Sequence, residues 1–346
     1  MELYDVDLQS IQETRILLKN AYKAQKKLAA LKQNEIDKIV SAISEAGISN
    51  AARLANMANE ETGFGIYEDK VLKNLFAAKT VYEAIKTQKT VGIISHNEKD
   101  KTIDIGVGVG IIAGIVPSTN PTSTVIYKSL ISIKGGNTIV FSPHPSAKKC
   151  TIEAVKIIAE AAEKAGCPKG AISVISTPTL ASTNELMKSE YTSLILATGG
   201  GAMVKAAYSS GTPAIGVGAG NGPAYIDKSA DIKKAITRIF ASKTFDNGTI
   251  CASEQSIIIE KSIESIVVNE IEINGGYILS ESESKQLGQF VLRSNGTMNP
   301  QIVGKSVKVI SELAGLNNIP TNTKILIARE KSVGEKIPYS KEKLAP

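Results

Sequence analysis

The chain has 346 residues, of which 42% are hydrophobic and 21% charged, and its formal net charge is +6. That length exceeds what one small core holds, so two domains are expected; the modest charge, spread over scattered lysines, argues against a nucleic-acid partner. The polar, acidic start carries no signal segment and no apolar run is long enough to span a bilayer, which predicts a cytoplasmic protein without a membrane partner.

Residues from about Asp7 to Lys89 are helical in pattern. Leu17, Ala21, Ala24, Leu28 and Leu31 recur at three- and four-residue steps, and Ile36, Ile39, Val40 and Ile43 repeat the device. From Ile103 onward the period changes. Strand-length apolar runs (Ile111 to Val116, Thr138 to Phe141, Ile172 to Ile175, Leu194 to Ala197, Ala214 to Val217) alternate with helix-patterned segments (Thr122 to Ile133, Ser146 to Ala165, Leu180 to Lys188, Ala202 to Ser210). This alternation predicts a parallel sheet buried on both faces, which binds ligands at the carboxyl ends of its strands. Beyond it, helices are expected over Ile232 to Lys243, Ser284 to Arg293 and Ser306 to Leu313, with strands over Ser256 to Glu260 and Ile325 to Ala328.

Two strand ends are equipped for chemistry. Pro117-Ser118-Thr119-Asn120-Pro121-Thr122 is rich in hydroxyls and amide and opens directly into a helix, whose free N–H groups suit an anion or oxyanion. Thr198-Gly199-Gly200-Gly201 also opens a helix and carries no side chain that would block a phosphate or a ring. Gly108-Val109-Gly110-Ile111-Ile112-Ala113 has the spacing of a dinucleotide fingerprint but precedes its strand, so it is discounted.

Cys251 lies on the connection between the helix ending near Lys243 and the strand at Ser256, just after the turn signal Asp246-Asn247-Gly248, which is expected to lift it out of the packed layer. Cys150 falls within a helix and Cys167 within a Gly-Cys-Pro turn. With three cysteines, no Cys-x-x-Cys pair and only His96 and His144, the chain supports neither a disulfide framework nor a metal site.

The motifs Pro117 to Ser123, Ser142-Pro143-His144-Pro145, Thr198-Gly199-Gly200, Ala206 to Gly211, Phe245 to Gly248 and Cys251 to Gln255, in that order along nearly the whole chain, resemble the CoA-acylating aldehyde dehydrogenases. This group includes the acetaldehyde and succinate-semialdehyde enzymes and the aldehyde half of the bifunctional aldehyde-alcohol dehydrogenases. The resemblance implies an α/β, aldehyde dehydrogenase-like fold: N-terminal helices with a Rossmann-type nucleotide-binding domain over 1–218, and a second α/β catalytic domain over 219–346. It implies Cys251 as the nucleophile and Asn120 as an oxyanion donor. Pro117, Ser118, Thr119, Ser142, His144, Pro145, Gly199, Gly200, Gly201, Val217 and Gly218 match the site for NAD or NADP, and Glu342 and Leu344 match the motif that meets the nicotinamide ribose.

Hydrolytic relatives carry a glutamate where this chain has Val217. A valine cannot activate water, so the implied acyl acceptor is the thiol of CoA and the implied substrates are a small aldehyde and its acyl-CoA. Two other readings are a hydrolytic dehydrogenase, disfavoured by Val217, and a non-catalytic nucleotide- or partner-binding fragment, favoured only by the missing C-terminal segments. Relatives continue past the position of Pro346, so the catalytic domain is expected to be incomplete at its C-terminal side, and a homo-oligomer is expected of the full-length protein. Nothing in the residues selects the aldehyde, and no acidic or basic ribose reader distinguishes NAD from NADP.

Overall fold

A computed structural model describes residues 5–294 and 296–346. The chain divides into two compact units: residues up to Thr62 with Lys70–Gly218, and Gly63–Asp69 with Ala219–Pro346.

The first unit opens with helices α1 (Val6–Leu28), α2 (Gln33–Ser49), α3 (Ala51–Thr62), α4 (Tyr67–Leu75, whose first turn belongs to the second unit) and α5 (Val81–Ile85). A hairpin follows, β1 (Gly92–Asn97) paired antiparallel with β2 (Thr102–Gly106). Then come β3 (Ile111–Ile115), α6 (Pro121–Lys134), β4 (Thr138–Ser142), α7 (Lys148–Lys164), β5 (Ile172–Val174), α8 (Leu180–Lys188), β6 (Thr192–Thr198), α9 (Gly201–Tyr208) and β7 (Ala214–Val217). The five strands β3 to β7 form one parallel sheet in the order β5-β4-β3-β6-β7, so the strand order reverses between β3 and β6. Alternation along β3 places its residues on two cores. Ile112 packs with Ile36, Ile126, Leu130 and Phe141 of the α2, α6 and β4 side, whereas Ile111, Ala113 and Ile115 pack with Leu18 and Ala21 of α1.

Burial on both faces holds for β3 and β4, which are buried throughout, but not for β7. As an edge strand, β7 alternates half-buried and exposed positions. The hairpin is a second departure from the sequence expectation. Ile103 belongs to β2 rather than to the sheet, and Ile93, Ile94, Ile103 and Ile105 are exposed.

The second unit holds β8 (Gly222–Ile226), α10 (Ile232–Thr244), β9 (Glu254–Ile259), α11 (Glu264–Ile273), β10 (Gly276–Ile278), α12 (Glu281–Val291), α13 (Val307–Ala314) and β11 (Ile325–Ile327). β8 pairs with β9 and β10 with β11, both parallel, as two separate pairs. Between them is a cavity of about 920 Å³ lined by Ile257 and Ile259 of β9 and Ile325 and Ile327 of β11. β8, α11 and β10 went unannounced in the sequence because each is short and lacks a long periodic run.

Candidate functional site

Cys251 follows an unusual turn. Asp246, Asn247 and Gly248 take φ of 51°, 50° and 70°, three consecutive left-handed residues, which only Gly, Asn and Asp visit readily. The turn itself is packed inside, Asp246 being fully buried, while Cys251 after it is half-buried. The Asp246 carboxylate explains why. Oδ1 accepts from the Ile66 N–H at 2.7 Å and Oδ2 from the Thr249 hydroxyl at 2.6 Å, while the Asp246 N–H donates to Asp69 at 2.7 Å. The segment Gly63–Asp69 therefore belongs to this unit because a buried carboxylate needs its donors.

Cys251 itself is half-buried, whereas Cys150 and Cys167 are buried. Burial and the neighbouring Glu61 carboxylate push the Cys150 thiol far up, and burial, followed by the charge of Glu163, pushes Cys167 up to about 12. Thiols that cannot ionise are poor nucleophiles, so reactivity falls to Cys251.

The loop that carries Cys251 is braced by the C-terminal segment. The Gly220 N–H donates to Glu342 Oε1 at 2.8 Å, and a Cβ at Gly220 would lie 1.8 Å from the Cys251 carbonyl oxygen, so only glycine fits there. The Lys343 N–H donates to Gln255 Oε1 at 2.9 Å, and Lys243 Nζ reaches both Gln255 Oε1 at 3.2 Å and the Lys343 carbonyl at 3.0 Å. Burial, reinforced by the nearby Lys343 charge, pushes Lys243 down to about 7, and burial raises the Glu342 carboxyl. Leu344 contributes its carbonyl to the Gly304 N–H at 2.8 Å. Gly220 and Lys243 were missed at the sequence level, and Gln255 was read only as the end of the Cys251 motif; no spacing rule links residues so far apart.

In the first unit the sheet's carboxyl ends gather the other predicted residues. Asn120 is the N-cap of α6, yet its side chain makes no capping bond. Instead its Oδ1 accepts from Lys73 Nζ at 2.7 Å and its Nδ2 donates to the Thr119 hydroxyl at 3.1 Å. This fixes which end of the amide donates and leaves the second N–H of Nδ2 without a partner among the described residues. Pro117 is buried, and Ser118 and Thr119 are half-buried beside it. Lys128, missed in the sequence although it interrupts the apolar face of α6, is fully buried and donates to the carbonyls of Ile115 at 2.8 Å and Leu196 at 2.7 Å. It ties the ends of β3 and β6 together where the strand order reverses, and burial pushes its ammonium down to about 7.

Ser142 ends β4 fully buried, its hydroxyl against Thr183 Oγ1 at 2.8 Å and its carbonyl accepting from the Val116 N–H at 3.0 Å. His144 and Pro145 are exposed, and His144 Nδ1 accepts from the Ser146 N–H at 3.1 Å. Gly200 and Gly201 need no left-handed φ, and a Cβ on either would meet nothing within 4 Å. Neither backbone nor packing requires glycine there; the room they leave suits a ligand. Val217 is 47% exposed on β7, and its carbonyl accepts from the Gly199 N–H at 3.2 Å, with Gly218 directly after it. No group of His, Cys, Asp and Glu able to hold a metal occurs among the described residues.

A parallel sheet whose strand order reverses between β3 and β6 is of the class that binds nucleotides at the carboxyl ends of its strands. The family model described as "Aldehyde dehydrogenase family" matches residues 2–273, and the chain belongs to that family. It is similar to the acetylating aldehyde dehydrogenase of Geobacillus thermoglucosidasius, with 57% identity and a TM-score of 0.96 over 99% of this chain and 76% of that one. The bifunctional aldehyde-alcohol dehydrogenase of Escherichia coli strain K12 is 48% identical over 97% of this chain, which spans 38% of that protein's length. A propionaldehyde dehydrogenase of Rhodopseudomonas palustris, solved with bound propionyl-CoA, is 30% identical with a TM-score of 0.80, over 94% of this chain and 71% of that one.

Proposed function

We propose that the chain carries the acylating aldehyde dehydrogenase reaction, in which an aldehyde, CoA and NAD(P)+ give acyl-CoA, NAD(P)H and a proton, reversibly. The observation that carries this reading is Cys251, the accessible thiol of the three, on a loop held in place by Gly220, Gln255 and Glu342. Its thiolate attacks the aldehyde carbon to form a thiohemiacetal, and the Asn120 amide, oriented by Lys73, donates to the oxyanion; such a donor is typically worth about 3 kcal/mol. A bound nicotinamide supplies the hydride acceptor. Residues 1–218, apart from the Gly63–Asp69 segment that belongs to the second unit, serve as the nucleotide-binding domain and 219–346 as the catalytic domain, the glycine turn of Gly199–Gly201, with Val217 and Gly218, leaving room for the ring.

The resulting S-acyl Cys251 needs a nucleophile to release it. Val217 offers no base for water, whereas a thiol such as that of CoA attacks a thioester through its own thiolate. The acetylating relative and the relative holding propionyl-CoA support this choice of acceptor. We further infer a cytoplasmic protein without nucleic acid as partner, homo-oligomeric when full length. No helix among the described residues is long and apolar enough to cross a membrane. An isolated two-stranded hairpin is marginal in water, and the exposed isoleucines of β1 and β2 suit a second copy.

Exposure to acetyl-CoA followed by peptide mass spectrometry tests the central claim. The acyl group is expected on Cys251; an adduct confined to Cys150 or Cys167, or none at all, overturns it.

A further inference from the structure

The sheet opens at its carboxyl end between β3 and β6, where the strand order reverses and where such sheets hold their ligands. Pairing of β3 with β6 ends at Ile115 and Ala197, and from there the two chains follow opposite neighbours. Val116 donates its N–H to the Ser142 carbonyl of β4 at 3.0 Å, while Gly199 donates its N–H to the Val217 carbonyl of β7 at 3.2 Å. The Pro117–Asn120 loop and the Gly199–Gly201 turn thus leave on opposite sides of a gap that no further rung of the β3–β6 ladder holds. Lys128 reaches that point from α6, the helix into which the Pro117–Asn120 loop opens. Its Nζ donates to the Ile115 carbonyl at 2.8 Å and to the Leu196 carbonyl at 2.7 Å, one on each side of the gap. Burying an ammonium is unfavourable, as its fall to about 7 shows, and an apolar side chain of similar length would fill the space without that penalty. What lysine adds is a single atom bonded to both strand ends.

We propose that Lys128 is a positioning residue for the nucleotide: by linking β3 to β6 at the end of their ladder it sets the width of the crevice, so that the Pro117–Asn120 loop and the Gly199–Gly201 turn engage one dinucleotide together. The inference rests on the reading of the first unit as the nucleotide-binding domain. Lys128 acts through the backbone and is too deeply buried to be a ligand contact itself. It also closes the Pro117–Asn120 loop at its base, because Ile115 lies just before that loop and α6 begins just after it. A crevice whose walls are already spaced need not be ordered when the ligand arrives, and that ordering is a cost that affinity otherwise bears.

Isothermal titration of the 346-residue chain with NAD+ and with NADP+ tests this without relying on turnover. Lys128→Met, similar in length but without a donor, is expected to weaken whichever nucleotide binds by about tenfold or more. Leu28→Ala is the control for lost stability alone. Leu28 is buried in the last turn of α1, where Gln25 accepts from the Thr138 N–H at 2.8 Å, so it lies by the start of β4, at the sheet end away from the crevice. Its truncation should lower the melting temperature yet leave nucleotide affinity within about twofold, as expected of distant sites. Melting curves report whether each variant is folded. If Lys128→Met is not, hydrogen exchange of the unaltered chain decides. Saturating nucleotide should slow exchange of the Val116 and Gly199 N–H groups no more than that of Ile139, whose N–H donates to Ala171 at 2.7 Å, because a crevice already held at its width opens only with the rest of the sheet. A folded Lys128→Met with unchanged affinity, an equal loss in Leu28→Ala, or extra protection at Val116 and Gly199 overturns the role of Lys128 while leaving the nucleotide reading intact. Failure of the unaltered chain to bind either nucleotide overturns that reading and this inference with it.

Discussion

Cys251 and the two buried cysteines separate the chemistry from the packing. Cys251→Ala is expected to abolish acyl-enzyme formation while nucleotide binding persists, and Cys167→Ala to retain chemistry; mass spectrometry on the variants and titration with nucleotide check both. Asn120 makes no capping bond but its amide holds Lys73 and Thr119, so Asn120→Ala should cost about 1–3 kcal/mol of stability and lower kcat by roughly 10² to 10³, with nucleotide affinity nearly unchanged. A near-normal kcat would show that the amide does not act on the developing charge. Val217 is exposed enough that Val217→Glu adds no buried charge, so the melting temperature should hold. The variant should release more carboxylic acid relative to acyl-CoA in limiting CoA, and rapid acid release by the unaltered chain would mean that another residue activates water.

At the scale of elements, Lys128 joins β3 to β6 and makes that junction sensitive to pH. Its ammonium is pushed down to about 7, whereas in the unfolded chain it titrates near ~10.4. Between those values the unfolded state binds a proton that the folded state does not, so stability rises with pH over that window and this contribution is lost as pH falls through about 7. Lys128→Met should flatten the rise while leaving the parallel contributions of Lys243 and Lys343 in place. It should also destabilise the chain at pH 9 by about 1–3 kcal/mol for each carbonyl left without a donor. Denaturant unfolding of both proteins from pH 6 to 10 measures the difference, and parallel curves would remove Lys128 from the account.

For the molecule as a whole, the second unit holds two strand pairs whose edges at β9 and β11 open on an apolar cavity of about 920 Å³. Uncovered strand edges beside apolar surface are templates for association. The 346-residue chain is therefore expected to bind a hydrophobic dye and to self-associate irregularly. Ile257→Lys, which places a charge in that lining, should reduce both. Light scattering and dye fluorescence on the two proteins decide it; a discrete oligomer indifferent to Ile257→Lys would place the contact elsewhere.

Alternating apolar runs and helical periods sufficed to read the parallel sheet between Ile111 and Val217, because burial on both faces writes itself into consecutive residues. The glycine turn, the Asn120 loop and Cys251 were legible too, since each is a short local motif at a strand end or on a connection. Unread were the hairpin of β1 and β2, whose apolar residues face outward, and the burial of the Asp246 turn, which depends on donors from Gly63–Asp69. Lys128 and Lys243 were also silent, because a polar side chain's partner is chosen by proximity in space and leaves no periodic mark. Sequence alone thus determined the alternating elements of the parallel sheet and singled out Cys251 as the candidate nucleophile. Tertiary structure decided which carboxylates and ammoniums are buried and what holds them, because only the folded chain brings their partners within reach.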